Sequence, residues 1–209
     1  MNRMTWMGAV LALGLLALGA GAQEFVIPED LPELLAPIMV TTCGQSPGAL
    51  MVKLICDQVG IPCLEEDLIT ADELVAECPG DLKDYAGILF VTTGTSLKGM
   101  GAAGVDVDSE VARCIALIEA ARELGMVIIV GQIEGPSRRV DEYDEASIQG
   151  ISPLADLLIT RSDINEDGYF TTLAEELGIP QIFIEETLDL QVLLPLLFPP
   201  AAEEEGSEG

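Results

Sequence analysis

The chain of 209 residues contains no histidine. That absence excludes Ser-His-Asp and Cys-His catalytic arrangements, histidine-ligated zinc and an imidazole pH switch. Positive charge is also scarce. Nine Lys and Arg stand against 36 Asp and Glu, a formal net charge of −27. Nucleic acid is not expected as a partner, because phosphate binding requires a basic face. Anionic lipid surfaces are disfavoured for the same reason. The charge serves solubility and repels other acidic bodies.

A run of apolar residues long enough for a membrane span is lacking as well. The stretch 7–18 is apolar, but a span needs roughly 20 residues. Arg3 precedes the run and Ala20-Gly21-Ala22 follows it. This pattern reads as a secretory signal peptide over 1–22, with cleavage before Gln23; an uncleaved anchor is the alternative. No cysteine ends the run, which argues against a lipoprotein. Cleavage would leave 209 − 22 = 187 residues, enough for one domain with a core of its own. The expected location is therefore periplasmic or extracellular.

Five cysteines are present, at 43, 56, 63, 78 and 114. An odd number leaves at least one thiol unpaired. Cys63 and Cys78 flank a segment read as irregular plus a short helix, and are the expected disulfide. Cys56 and Cys114 fall on apolar helix faces and read as buried free thiols. All five reduced is the alternative, since an α/β domain of this size needs no staple.

Residues 23–37, with three prolines, read as an extended lead-in, and 199–209 as a disordered acidic tail. Between them, over 38–198, strand and helix patterns alternate. Val- and Ile-rich runs at 38–43, 88–93, 127–132, 157–160 and 181–185 are nearly continuous in hydrophobicity, as suits strands buried on both faces. A weaker strand is expected near 61–64. Helices are expected over 46–59, with Ser46 as N-cap and Gly60 as stop, and over 108–124, 171–177 and 187–198. Strand-helix-strand in series predicts a three-layer α/β domain of flavodoxin-like or Rossmann-like type. Its five- to six-stranded sheet would be mostly parallel, in the order 2-1-3-4-5, with helices on both faces.

Four of the nine cations (Lys98, Arg138, Arg139, Arg161) follow directly on expected strands. In such a sheet the carboxyl ends of the strands share one edge, where ligands bind. Four loops on that edge draw interest. In Thr41–Gly48 (Thr-Thr-Cys-Gly-Gln-Ser-Pro-Gly), backbone amides at a helix start favour an anion, with Thr42, Cys43, Gln45 and Ser46 beside them; the alternative is a plain helix cap. In 92–104, Thr93, Ser96 and Lys98 accompany a G-x-G-x-x-G at 99–104. Dinucleotide binding is disfavoured there because five residues separate strand from motif. A flexible polar loop over a ligand is expected instead. In 134–139, Arg138 and Arg139 can clamp an anion bidentately, or pair with Asp141, Glu142, Asp144 and Glu145 nearby. In 163–168, Asp163, Asn165 and Asp167 match the first half of a calcium loop, D-x-[DN]-x-[DN]-G. The closing Glu is missing, with Ala at 174, so an Asx-turn is the alternative. Cys43 and Ser96 are the available nucleophiles, with Lys98 or Glu134 the only bases in sight.

These motifs carry a resemblance. Thr-Thr-Cys-Gly-Gln-Ser-Pro-Gly-Ala (41–49), Ser-Leu-Lys-Gly-Met-Gly-Ala-Ala-Gly (96–104), Arg138-Arg139 and Asp167-Gly168-Tyr169-Phe170-Thr171 are similar to those of small exported bacterial proteins known as a domain of unknown function. The likeness spans about 38–185. It implies an exported single α/β domain and brings no activity, so no catalytic residue follows from it.

The expectation is a non-catalytic extracytoplasmic module that binds a small anionic or polyhydroxylated molecule through the loops after the strands. A histidine-free hydrolase or transferase using Cys43 or Ser96 is the first alternative. A calcium-stabilised surface or assembly protein that meets another protein is the second. No cofactor other than calcium is expected.

Overall fold

The structure is a computed structural model, and it describes residues 25–77 and 87–199. The expected signal peptide, nearly all of the acidic tail and Cys78 lie outside the described residues.

Six strands form one parallel sheet. They are β1 (Ile38–Cys43), β2 (Cys63–Glu65), β3 (Ile88–Thr93), β4 (Val127–Gln132), β5 (Leu157–Arg161) and β6 (Gln181–Ile184), in the order β2-β1-β3-β4-β5-β6. The helices are α1 (Gly48–Val59), α2 (Ala71–Glu77), α3 (Leu97–Ala103), α4 (Val107–Glu123), α5 (Glu142–Ile151), α6 (Tyr169–Leu177) and α7 (Leu190–Leu197). The expected α/β class and strand order hold, with β6 added at the far edge.

Side chains alternate across each strand, and both faces are covered. Ile38, Val40, Phe90, Ile129 and Ile159 meet Val52 and Ile55 of α1 and Leu193 and Leu194 of α7 on one side. Met39, Leu89, Val91, Ile128 and Leu158 meet Cys114, Leu117 and Ile118 of α4 on the other. All six residues of β1 and all six of β3 are buried. A strand dry on both faces cannot alternate apolar with polar residues, which is why these runs are continuous in the sequence.

Helix ends follow local chemistry. Gly60 takes a left-handed φ of 77° and its N–H returns to the Cys56 carbonyl, closing α1. Asp106 and Ser109 form a reciprocal capping box at the start of α4. Asp141 accepts from the Tyr143 and Asp144 amides at the start of α5.

Three local expectations need correction. Residues 97–103 are not a flexible loop but α3, because the Ser96 hydroxyl accepts from the Gly99 amide and nucleates a turn. Ser46 does not cap α1. Pro47 holds the N-cap position without a side-chain bond, and the Ser46 hydroxyl lies 3.2 Å from that of Thr42. Cys63, expected in a disulfide, is a free thiol packed on the core cluster that contains Cys56, and its expected partner Cys78 lies outside the described residues. Cys56 and Cys114 are buried free thiols as expected. No helix among the described residues is long and apolar enough to cross a membrane.

Candidate functional site at the carboxyl edge of the sheet

Because the sheet is parallel, the loops after β1, β3, β4 and β5 share one edge. Between β1 and β3 the crossovers diverge, β1 leading outward to β2 and β3 leading to β4. In doubly wound folds this switch point leaves a crevice for ligand. Here the two loops close it. Gln45 and Thr95 pair as an isolated antiparallel bridge, and the Ser96 amide donates to the Gly44 carbonyl at 2.8 Å. Gly44 has a φ of 113°, and a Cβ there would sit 2.7 Å from Thr95 Cγ2. Gly99 of α3 packs on the Gln45 carbonyl so closely that a Cβ would collide with it. Gly99 thus serves loop-to-loop packing, while Gly101 and Gly104 face open space.

Three amides of these two loops, those of Gly44, Gly94 and Thr95, are also taken. Glu110 of α4 is buried (1% exposed), and it accepts from the Gly44 amide at 3.1 Å and from Gln45 Nε2 at 2.8 Å. Arg113 pairs with Glu110 and donates to the Thr42 carbonyl at 2.6 Å. Asp144 of α5 is buried and accepts from the Thr95 amide, the Thr95 hydroxyl and the Val140 amide at 2.8, 2.7 and 3.0 Å. Ser147 bridges the Gly94 amide and the Cys43 carbonyl. The protein's own carboxylates thus sit on the Gly44 and Thr95 amides at the switch point.

The arginines converge on this edge as expected, but they are engaged there. Arg138 pairs with Glu134 and donates to the Thr95 carbonyl at 2.8 Å. Arg139 is 11% exposed at its side chain. It pairs with Glu145 and with Asp167 at 2.8 and 2.7 Å, and its guanidinium lies 5.4 Å from the Tyr169 ring and 5.3 Å from the Phe170 ring. Arg161 forms a two-pronged pair with Asp163. That pair raises the Arg161 pKa, and the hydrogen bond from Arg139 holds the Asp167 carboxyl below the usual range. Of the expected binding residues, Lys98 is exposed and has no ion pair among the described residues.

The other candidates are equally bound up. Thr93 is buried, with its hydroxyl 3.4 Å from the Gly131 carbonyl. Asn165 caps α6, accepting from the Phe170 amide and donating to the Thr171 hydroxyl. Asp163 and Asp167 are held by arginines, so the half calcium motif is drawn apart into an Asx cap and two ion pairs. No acid or cysteine cluster among the described residues is arranged to hold a metal ion. Among the described residues no base is hydrogen-bonded to either nucleophile candidate. Cys43 is fully buried against Cys114, whose thiol is pushed far up by the Cys43 side chain and by burial. The Ser96 hydroxyl serves as the α3 cap, and no hydrogen bond joins it to Lys98.

One opening on this edge is a cleft of about 290 Å³ beside β5, lined by Pro136, Arg139, Glu145, Asp163, Ile164, Glu166 and Asp167. Its walls are mostly carboxylates, three of them held by Arg139 and Arg161. Glu110 and Asp144 were invisible as functional residues from the sequence. Glu110 abuts the apolar stripe of α4, and only the packing of α4 under the β1 loop gives its carboxylate a role.

A family profile matches residues 35–198, under the description Domain of unknown function (DUF6305). The chain belongs to this family. The match covers all six strands of the DUF6305 domain and every loop of its carboxyl edge. No curated protein matches the sequence. Among solved structures, the esterase EstA from Pseudoalteromonas sp. is 12% identical with a TM-score of 0.35, over 70% of this chain and 76% of that one. A GDSL-like lipase from Bacteroides thetaiotaomicron is 13% identical with a TM-score of 0.33, over 72% and 68%. A putative acylhydrolase from Bacteroides fragilis is 10% identical with a TM-score of 0.34, over 77% and 71%. Likeness of this degree carries no chemistry across to the DUF6305 chain.

Proposed function

We propose that the chain is an exported, non-catalytic binding module that takes a small polyhydroxylated molecule in the cleft beside β5. The observation that carries this reading is the lining of the cleft. Glu145, Asp163, Glu166 and Asp167 stand around one space of about 290 Å³, and Arg139 and Arg161 fix the orientation of three of them. Carboxylates held in place accept hydrogen bonds from hydroxyl groups in defined directions. The volume is at the lower end of small-molecule sites, which begin at about 300 Å³. The same lining disfavours the anionic ligand that the sequence allowed, because an anion would face four carboxylates and two arginines already neutralised. A reaction is disfavoured by the lack of any base in hydrogen-bond reach of Cys43 or Ser96.

Thermal denaturation of the full chain in the presence of monosaccharides, polyols, inorganic phosphate and calcium tests this. Neutral sugars or polyols are expected to raise Tm, and Glu166→Gln to remove the rise; phosphate is expected to do nothing. A rise with phosphate alone overturns the reading. A calcium-induced rise that vanishes in Asp167→Asn supports the calcium alternative instead. Covalent labelling of Ser96 or Cys43 by an organophosphonate or an alkylating probe in the native protein overturns the non-catalytic assignment.

A further inference from the structure

Two pairs of thiols touch inside this fold, and they differ in access. Cys43 at the end of β1 and Cys114 on α4 are each fully buried in one core cluster, and the Cys114 thiol donates to the Thr42 carbonyl at 3.7 Å. Cys56 on the last turn of α1 is fully buried, but its partner Cys63, the first residue of β2, is partly exposed. The second contact is built by backbone geometry. The Gly60 turn returns its own N–H and that of Ile61 to the Cys56 carbonyl, the latter at 2.9 Å. The Ile38 amide then takes the Pro62 carbonyl at 2.9 Å, and Cys63 enters the sheet opposite Ile38. The chain leaves Cys56, reverses through Asp57–Pro62 and brings Cys63 back against it. Cys63 thereby packs on the core cluster that contains Cys56.

We propose that Cys56 and Cys63 are a disulfide site, closed in the folded protein by a small-molecule disulfide, and that Cys43 and Cys114 stay reduced. The partly exposed Cys63 sulfur attacks the oxidant RSSR, forming a Cys63–S–S–R mixed disulfide and releasing one thiol. Cys56 then attacks the Cys63 sulfur, the Cys63–SR bond breaks, and the second RS⁻ leaves and takes a proton. Two protein thiols are oxidised and one RSSR is reduced to two RSH. The Cys56 side chain and burial push the Cys63 thiol up, so the first step quickens as pH rises. The bond would tie β2, an edge strand of three residues, to the helix beside it. The Cys43–Cys114 pair has the contact but no route for the oxidant, and it serves as an internal control.

The folded full chain is incubated with glutathione disulfide, quenched, alkylated and mapped by mass spectrometry. The expected result is a loss of two hydrogens, a Cys56–Cys63 cross-linked peptide, and labelling of Cys43 and Cys114 only after denaturation. Cys78→Ser should leave the cross-link intact, and Cys56→Ser should stop at a Cys63–glutathione mixed disulfide. A Cys63–Cys78 linkage overturns the proposal. So does a Cys43–Cys114 bond formed at the same rate, or full alkylation of both Cys56 and Cys63 after oxidation.

Discussion

The crevice between β1 and β3 and the cleft beside β5 lie on the same edge, and both gather carboxylates and arginines. They differ in where the charges point. At the crevice, Glu110 and Asp144 turn inward onto backbone amides and are 1% and 2% exposed. At the cleft, the Glu145 and Asp167 side chains are 35% and 56% exposed while still paired to Arg139. Similar groups are therefore sealed inside in one place and left partly in solvent in the other. Desolvation decides which, since a buried carboxylate must have all its partners supplied by protein.

That contrast can be broken by mutation. The largest effect is expected from Glu110→Ala, which strands Arg113 (side chain 11% exposed) and the Gly44 amide in the interior. A loss of about 3–5 kcal/mol in urea unfolding is expected, the range for removing one partner of a buried pair. A loss below about 1 kcal/mol would mean that water reaches the crevice and that its anion positions are not closed. Next comes Gly99→Ala. A methyl group there must push α3 off the Gln45 carbonyl, at about 1–3 kcal/mol as for overpacking. Retention of wild-type stability would show that the β1 and β3 loops are not locked together.

Arg139→Ala sharpens the comparison from the cleft side. Its partners can rehydrate, unlike those of Glu110, so a smaller loss of about 2 kcal/mol is expected, including the aromatic contacts. A loss equal to that of Glu110→Ala would erase the distinction. The smallest effect is on pH dependence. The Arg139 bond lowers the Asp167 pKa in the folded state. Its contribution is therefore present above the unfolded carboxyl value of about 3.9 and fades as pH falls through the lower folded value. Acid titration of stability should show a shallower decline below about pH 4 in Asp167→Asn than in the wild type. Identical acid limbs would show that the pair is screened out in solution.

The amino-acid sequence by itself determined the layers, the strand order and the edge. Continuous Val- and Ile-rich runs require a sheet covered on both faces, and the right-handed crossover rule leaves few orders for such a chain. It also placed Thr42, Ser46, Ser96, Arg138 and Arg161 on one rim, because every strand of a parallel sheet ends at the same side. Tertiary structure alone decided what those residues do there. Glu110 lies 65 positions from Gln45, and Asp144 lies 49 from Thr95. No local pattern reveals that these acids fill the sites the loops offer. The contact between Cys56 and Cys63 likewise depends on the Gly60 turn and on the register of β2 against β1, not on the spacing of the cysteines. Local physics writes periodicity into a sequence, but a hydrogen-bond partner is set by which helix packs under which loop.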